Sequence, residues 1–150
     1  MLTEFYAVTL HSIYHVQALR PLSCSAIKIA GKKHSALSIG NDLAKGHLIA
    51  IGTRLQGYSP ERQGEGARMA RDCPLENTNT KNYKDVSTPI VALFMDKQSA
   101  EACSKESDKE PCDPRWLEST KRVVNQIGDD HPSFYVSRDP HFALLKRNAA

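Results

Sequence analysis

The feature that most constrains this fold is an unbroken apolar run over residues 90–95, with the sequence IVALFM. Its length is that of a β-strand, and the side chains of a strand point alternately to the two faces of its sheet. Because both sets of side chains are apolar, both faces of this strand should be buried. The run therefore predicts a strand in the interior of the protein.

Strand patterns also fill the first 58 residues. Residues 4–19 alternate in two phases around the polar pair His11 and Ser12, and this pattern of β-branched and aromatic residues predicts a β-hairpin. Residues 47–52 (HLIAIG) predict a further strand. Four or five short strands joined by brief turns favour an antiparallel sheet.

Residues 26–30 (AIKIA) continue the strand pattern, which ends at Gly31. Alternation along a strand places Ile27 and Ile29 on one face and Lys28 on the other. Since the apolar face of an antiparallel sheet packs on the core, we expect Lys28 to point outward.

An amphipathic helix is predicted over residues 114–127. Asp113 is suited to cap its first turn, Pro114 fits the first helical position, and Gly128 can adopt the positive φ that ends a helix. A second, shorter helix is predicted over residues 99–103. The stripe at helical spacing on the longer helix consists of Trp116, Thr120, Val123, Val124 and Ile127.

The predicted fold is α+β, with a mostly antiparallel sheet, one main amphipathic helix at about 114–127 and a second short helix packed on one face. The length of 150 residues and the 40% hydrophobic content fit a single domain over residues 1–150. Residues 59–88 read as an irregular polar insertion. Such a segment is either a mobile surface loop or a loop that covers a ligand.

The start of the chain and its hydropathy argue against secretion and membrane insertion. No basic segment followed by an apolar run opens the sequence, and no stretch approaches the roughly 18 apolar residues of a membrane span. We therefore expect a cytoplasmic protein with no membrane partner. Its four cysteines should then remain reduced.

The sequence lacks the common catalytic motifs. Phosphate-binding loops and zinc-protease, EF-hand and G-x-S-x-G patterns do not occur in it. His131 stands beside Asp129 and Asp130 at a turn and is the best single candidate for acid–base chemistry. His11 and His15 flank the hairpin turn, but two histidines without a third ligand make a poor metal site. We predict no metal and no cofactor, and we assign no catalytic residue.

The excess of positive charge lies in the first third of the chain. Residues 1–58 contain six basic and two acidic side chains, so an anion-binding face is expected there. Cations beside an aromatic ring suit an anion that carries a ring, such as a nucleotide. The alternative is a solvated basic face that maintains solubility. The predicted ligand-binding residues are Lys28, Lys32, Lys33, Arg54, Tyr58, Arg62, Asn77 and Asn79.

This pattern favours a noncatalytic protein that binds a small anionic, nucleotide-like ligand. One form of the hypothesis is a sequestering, sponge-type protein of viral or mobile-element origin. Two alternatives stay open. One is a nucleic-acid-binding or protein-interaction module, for which the net charge of +3 is small; the other is a small hydrolase that uses His131. A homo-oligomer is a further option, because an exposed sheet edge can form a symmetric contact.

Overall fold

The computed structural model describes residues 1–20, 23–31, 39–45, 48–58 and 86–136. These residues form eight strands and two α-helices, and a 3-10 turn, Pro114–Trp116, leads directly into the second helix. The helices are Lys97–Ser104 (α1) and Leu117–Ile127 (α2). The strands are Glu4–Thr9 (β1), Ser12–Arg20 (β2), Ser23–Gly31 (β3), Asp42–Lys45 (β4), Leu48–Ile51 (β5), Arg54–Tyr58 (β6), Val86–Phe94 (β7) and Phe134–Val136 (β8).

The strands form one sheet in the order β4-β3-β2-β1-β7-β6-β5-β8. Every neighbouring pair is antiparallel except β5 and β8, which are parallel. The predicted α+β fold with a mostly antiparallel sheet is confirmed, and so is the hairpin, which β1 and β2 form. Within the described residues, neither helix has the length and apolar character needed to cross a bilayer.

The strand β7 holds the two halves of the sheet together. Its residues 86–89 pair with β6 and its residues 90–94 pair with β1. Both faces of this strand are buried, as the unbroken apolar run predicts, because its side chains enter two separate hydrophobic clusters. The strand begins at Val86, so residues 86–88 of the predicted insertion 59–88 belong to β7. Residues 59–85 lie outside the described residues.

The sheet curls, because β3 lies against β5 and β4 lies against β6. The inner cluster is the hydrophobic core that both ends of the curled sheet share with α2, and it includes Phe5, Tyr14, Ala26, Leu43, Ile51, Leu55, Leu93, Val124 and Phe134. The outer cluster lies between the β1, β2 and β7 region and α1, and it consists of Val8, Ile13, Val91, Ala92, Phe94, Ala100 and Cys103.

The longer helix follows its sequence signals closely. The Asp113 carboxylate accepts a hydrogen bond from the backbone N–H of Arg115 (3.0 Å), and Pro114 occupies the first helical position. Gly128 ends α2 with a φ of 67°. Trp116 is only half-buried and packs against the outer cluster, while the residues of α2 that enter the core follow it in the chain.

The described part of residues 1–58 contains six strands, one more than the upper expectation of five. The additional strand β4 begins at Asp42. The Asp42 carboxylate accepts a hydrogen bond from the Ala26 N–H in β3 (2.8 Å), so a polar side chain completes this edge of the sheet.

The expectation that Lys28 points outward is wrong. Lys28 has 0% of its surface exposed, and its partner across the β2–β3 pair is the buried Tyr14. The small Ala26 faces the inner cluster, whereas Ile29 packs on the outer cluster. The face of β3 that carries Lys28 and Ala26 is therefore the buried one, and the partly buried isoleucines do not mark the inner face.

Candidate functional site

A row of hydroxyl side chains crosses the strands at one end of the inner cluster. This polar row consists of Ser12 of β2, Thr9 of β1, and Thr88 and Ser87 of β7. Thr88 donates from Oγ1 to Thr9 Oγ1 (2.8 Å), and Thr9 Oγ1 donates to the Ser12 carbonyl (3.2 Å). Ser87 Oγ accepts from the N–H of Leu55 in β6 (2.9 Å). The polar row thus joins four strands through hydrogen bonds.

Lys28 lies at one end of the polar row. Both the Cε atom of Lys28 and the hydroxyl of Ser12 lie beside Gly31, so the Lys28 side chain extends along β3 toward the row. Burial lowers the pKa of Lys28 because a charged ammonium loses its hydration there. Burial also raises the pKa of Tyr14, against the effect of a hydrogen bond with the Ser12 side chain.

Gly31 allows these groups to meet. A Cβ atom at this position would lie 2.6 Å from the carbonyl oxygen of His11 and 2.6 Å from Ser12 Oγ, and 2.8 Å from Lys28 Cε. Its φ of 148° is also one that only glycine adopts readily. The approach of the β1–β2 turn to the end of β3 therefore depends on the missing side chain.

Arg54 lies at the other end of the polar row. It is the first residue of β6, its register partner in β7 is Pro89, and its Nη1 donates to the Ser87 carbonyl (3.1 Å). Its side chain is exposed, in contrast to Lys28. Arg54 is therefore hydrogen-bonded to the row at Ser87, whereas Lys28 reaches it only through the position of its Cε beside Gly31 and Ser12.

Lys28 and Arg54 belong to strands separated by β2, β1 and β7. In a flat sheet, four strand spacings correspond to about 19 Å. The curl of the sheet shortens this separation, because β3 lies against β5 and β4 against β6. The two cations are thus at opposite ends of the polar row, one buried and one in contact with solvent.

The other predicted ligand-binding residues fall mainly outside the described part of the chain. Tyr58 is the last residue of β6, four residues from Arg54, so its backbone lies about 13 Å away along the strand. The residues outside the description are Lys32, Lys33, Arg62, Asn77 and Asn79.

The hydroxyl residues of the polar row were not predicted from the sequence. Thr9 and Ser12 are visible there only as polar residues near a hairpin turn, and Ser87 and Thr88 only as the residues before an apolar strand. Their mutual contacts span up to 79 positions in the chain, as in the Thr88 to Thr9 hydrogen bond. Local patterns carry no information on such pairs.

His131 has a structural role in this fold. It is 3% exposed, and its Nδ1 accepts hydrogen bonds from the N–H groups of Ser133 (3.0 Å) and Phe134 (3.1 Å). The ring proton is therefore on Nε2, which donates to the Leu2 carbonyl (2.7 Å). Both ring nitrogens are used to fasten the chain start to β8, so this geometry gives no support to the hydrolase alternative.

The histidines near the hairpin do not form a metal site with their neighbours. His15 stacks on Tyr6, with ring centres 4.5 Å apart, and its Nε2 is 3.5 Å from a carboxylate oxygen of Glu4. His11 is an exposed turn residue. In the parts of the chain that the structure describes, no three His, Cys, Asp or Glu side chains are arranged to hold a metal ion.

A shallow depression of about 430 Å³ lies over the loop between the helices. Its cation, Arg115, donates to both carboxylate oxygens of Asp113 (3.1 and 2.9 Å) and to the carbonyls of Ser107 (3.2 Å) and Asp108 (3.1 Å). The hydrogen bond from Arg115 is the main reason that the pKa of Asp113 is lowered to about 2. These contacts hold the guanidinium against the loop.

Comparison of the chain with protein-family models, with curated proteins and with solved structures gave no match. The functional argument therefore depends on the chemistry of the polar row and its two cations.

Proposed function

We propose that this protein binds a small anionic, nucleotide-like ligand, without converting it, at the end of the inner cluster marked by the polar row. The observation that supports this most is the row itself, which runs from the Lys28 side chain to Arg54. A ligand-binding site combines apolar surface with a few placed polar groups, and in this proposal the polar row supplies the polar groups.

The two cations would make different contributions. Arg54 is exposed and offers a planar guanidinium, which suits the oxygens of a phosphate or carboxylate. Lys28 is buried, and a charge in a low-dielectric environment interacts more strongly with an anion than a charge in water does. An anion held by both would have its charge compensated without the need for a strongly basic surface.

Further predicted residues fit this proposal through their positions in the sequence. Lys32 and Lys33 directly follow Gly31, the residue against which the Lys28 side chain lies. They would add positive charge to the same end of β3. The predicted contributions of Tyr58, Arg62, Asn77 and Asn79 to a ring or sugar stay part of the proposal.

The test is a thermal-shift panel of mononucleotides, cyclic nucleotides and inorganic phosphate. A ligand at one hundred times its Kd stabilises the folded state by about 2.7 kcal/mol. For a chain of this size each kcal/mol corresponds to about 2–4 °C in Tm. At least one compound should therefore raise Tm by several degrees.

Three variants connect the shift to the polar row. Lys28→Met keeps the length of the buried side chain and Arg54→Ala removes the exposed cation, so each should weaken binding about tenfold or more. Lys97→Ala is the matched control, because Lys97 is an exposed lysine on α1, next to the outer cluster. It should leave the affinity unchanged.

Two results would contradict the proposal. One is no change in Tm with any compound of the panel. The other is tight, strongly salt-dependent binding to oligonucleotides with no response to mononucleotides, which would favour the nucleic-acid alternative instead.

A further inference from the structure

We propose that His131 is an acid-sensitive latch, whose protonation releases the chain start and β8 from the inner cluster while the rest of the sheet stays folded. The latch consists of the His131 ring, the Leu2 carbonyl and the N–H groups of Ser133 and Phe134. This conformational response does not depend on the ligand-binding proposal.

The contacts of the His131 ring require its neutral form. Its Nδ1 accepts from the N–H groups of Ser133 (3.0 Å) and Phe134 (3.1 Å), and its Nε2 donates to the Leu2 carbonyl (2.7 Å). A proton on Nδ1 would convert this acceptor into a donor that faces two other donors. Both N–H groups would then lose their partner in a buried place, where an unpaired donor is costly.

The buried surroundings of the ring give a positive charge no compensation. Phe134 stacks on the ring, with ring centres 4.5 Å apart, and it belongs with Leu2 to the inner cluster. Among the described residues the buried carboxylate is that of Asp113, which is already paired with Arg115 (2.9 Å). A protonated ring in the latch would therefore be a buried charge without a counterion.

Other charged groups on the surrounding elements have little influence on the ring. Lys28 is buried, but its side chain extends toward Gly31 and Ser12, whereas the chain start is bonded to Ala18 near the other end of β2. The remaining charged groups are mostly exposed, so solvent screens them. They are Glu4 of β1, Asp129 and Asp130 of the turn, and Arg122, Glu118 and Lys121 of α2, the last two being 3.7 Å apart.

The latch holds two segments at the edge of the fold. Leu2 is buried in the inner cluster, and the three-residue strand β8 pairs with β5 alone in the described part of the chain. The Ser133 hydroxyl is fully buried and has no hydrogen-bond partner within these residues. Release of β8 would return this hydroxyl to water, which lowers the cost of opening at this position.

Acid shifts the balance toward the open form. Histidine is the side chain whose charge ordinarily changes between about pH 5 and pH 8. The latched form requires the neutral ring, whereas a released ring in water can take up a proton, so release becomes more favourable as the pH falls. The contribution of Asp113 is kept over this range, because the pKa of its carboxyl group is about 2.

Amide hydrogen exchange of the full chain at about pH 7.5 and about pH 5, corrected for the intrinsic effect of pH on exchange, tests the latch. We expect the protection of residues 1–5 and 133–136 to fall about tenfold or more between these conditions. The protection of residues 91–93 in β7 should stay the same. His131→Gln, whose side chain is neutral at both pH values, should lose the response.

His15→Gln is the matched control. The His15 ring is 3.5 Å from the Glu4 carboxylate near the chain start, so a proton on it would strengthen the attraction between β1 and β2, the opposite effect. This variant should therefore keep the loss of protection at acid pH. A response that His15→Gln abolishes and His131→Gln retains would overturn the proposal.

NMR of the wild-type protein provides a second measurement, which decides the question even if His131→Gln does not fold. Long-range proton–nitrogen spectra report whether Nδ1 or Nε2 carries a proton. We expect His131 to have its proton on Nε2 at neutral pH and to gain the second proton at the same pH at which residues 1–5 and 133–136 lose protection.

Two further results would overturn the latch. One is unchanged protection of residues 1–5 and 133–136 between the two pH values. The other is an equal loss of protection in β7, because that would show unfolding of the whole protein and no separate release of the chain start and β8.

Discussion

Gly31 controls how closely the β1–β2 turn approaches the end of β3. The space that a side chain would need is filled by the carbonyl of His11, the hydroxyl of Ser12 and the Lys28 side chain. One residue without a Cβ thus permits the contact between a buried cation and the polar row.

Replacing Gly31 with alanine should therefore destabilise the protein strongly. We expect Gly31→Ala to lower the free energy of unfolding by about 3 kcal/mol or more, because the new methyl group meets backbone and buried atoms and the φ of 148° is strained for alanine. Gly128→Ala is the control, since Gly128 has a positive φ but open space around it, and should cost only about 1 kcal/mol. Urea unfolding measures both, and equal losses would contradict this account.

Single residues also mark the limit of sequence reasoning about the site. The sequence was sufficient to predict Lys28 and Arg54 as candidate ligand-binding cations, and in the structure both lie beside the polar row. The burial of Lys28 could not be predicted, because the apolar Ile27 and Ile29 predicted that their own face of β3 packs on the core and that Lys28 faces solvent. His131 was visible as a reactive residue type, but its role depends on the carbonyl of Leu2, 129 positions away in the chain.

At the scale of elements, the Asp113–Arg115 ion pair is a central contact of the loop between α1 and α2. Asp113 is buried, caps the turn that leads into α2, and accepts hydrogen bonds from Arg115 and from the N–H of Glu110. Its backbone N–H also donates to Val91 in β7 (2.9 Å). The carboxylate therefore connects the loop to the turn that leads into the longer helix, and the backbone N–H of the same residue connects both to the central strand.

The Asp113 carboxylate should make stability depend on acid pH. Its pKa is about 2 in the folded protein, below the ordinary value of 3.8, so its contribution is present above about pH 4 and is lost as the pH falls toward 2. After allowance for the solvent exposure of Arg115, we expect a loss of about 1 to 2 kcal/mol in the free energy of unfolding.

Urea unfolding at pH 7, 4 and 2 measures this dependence. Asp113→Asn should flatten it and lower the stability at pH 7. Asp108→Asn is the control, because Asp108 is exposed and asparagine tolerates its φ of 55°. A wild-type pH profile that Asp113→Asn leaves unaltered would contradict this role for the ion pair.

Elements were predictable where their signals are local. The cap at Asp113, the proline after it and the glycine at position 128 define the longer helix without any tertiary information. The short strand β4 escaped prediction, because a carboxylate contact with β3 completes it. The parallel pairing of β5 with β8 escaped it too, since no local pattern specifies a partner so distant in the chain.

At the scale of the whole molecule, β7 is the part on which both halves of the sheet depend. It pairs with β6 along one half of its length and with β1 along the other, and its side chains enter both hydrophobic clusters. Separating this strand from its neighbours would expose both clusters at once.

Amide hydrogen exchange should reflect this arrangement. We expect the N–H groups of Val91, Ala92 and Leu93 to exchange only when the whole protein unfolds, whereas those of the three-residue edge strand β8 exchange through local opening. Exchange followed by mass spectrometry or NMR gives the opening free energies. Faster exchange in β7 than in β8 would contradict a central role for β7.

How much of the site could be predicted from the sequence also depends on the arrangement of the whole molecule. Composition and strand patterns indicated the fold class and where cations concentrate, but they did not indicate that the sheet curls. The polar row depends on the register of β1, β2, β6 and β7, which the apolar alternation of each strand leaves open.

The parallel contact between β5 and β8 has a consequence for synthesis on the ribosome. The paired residues Ile49 and Phe134 are 85 positions apart, so translation must continue well past β5 before its outer edge can be covered. A nascent chain would meanwhile display unsatisfied main-chain groups on an apolar strand, which is the type of surface that chaperones shield from intermolecular association.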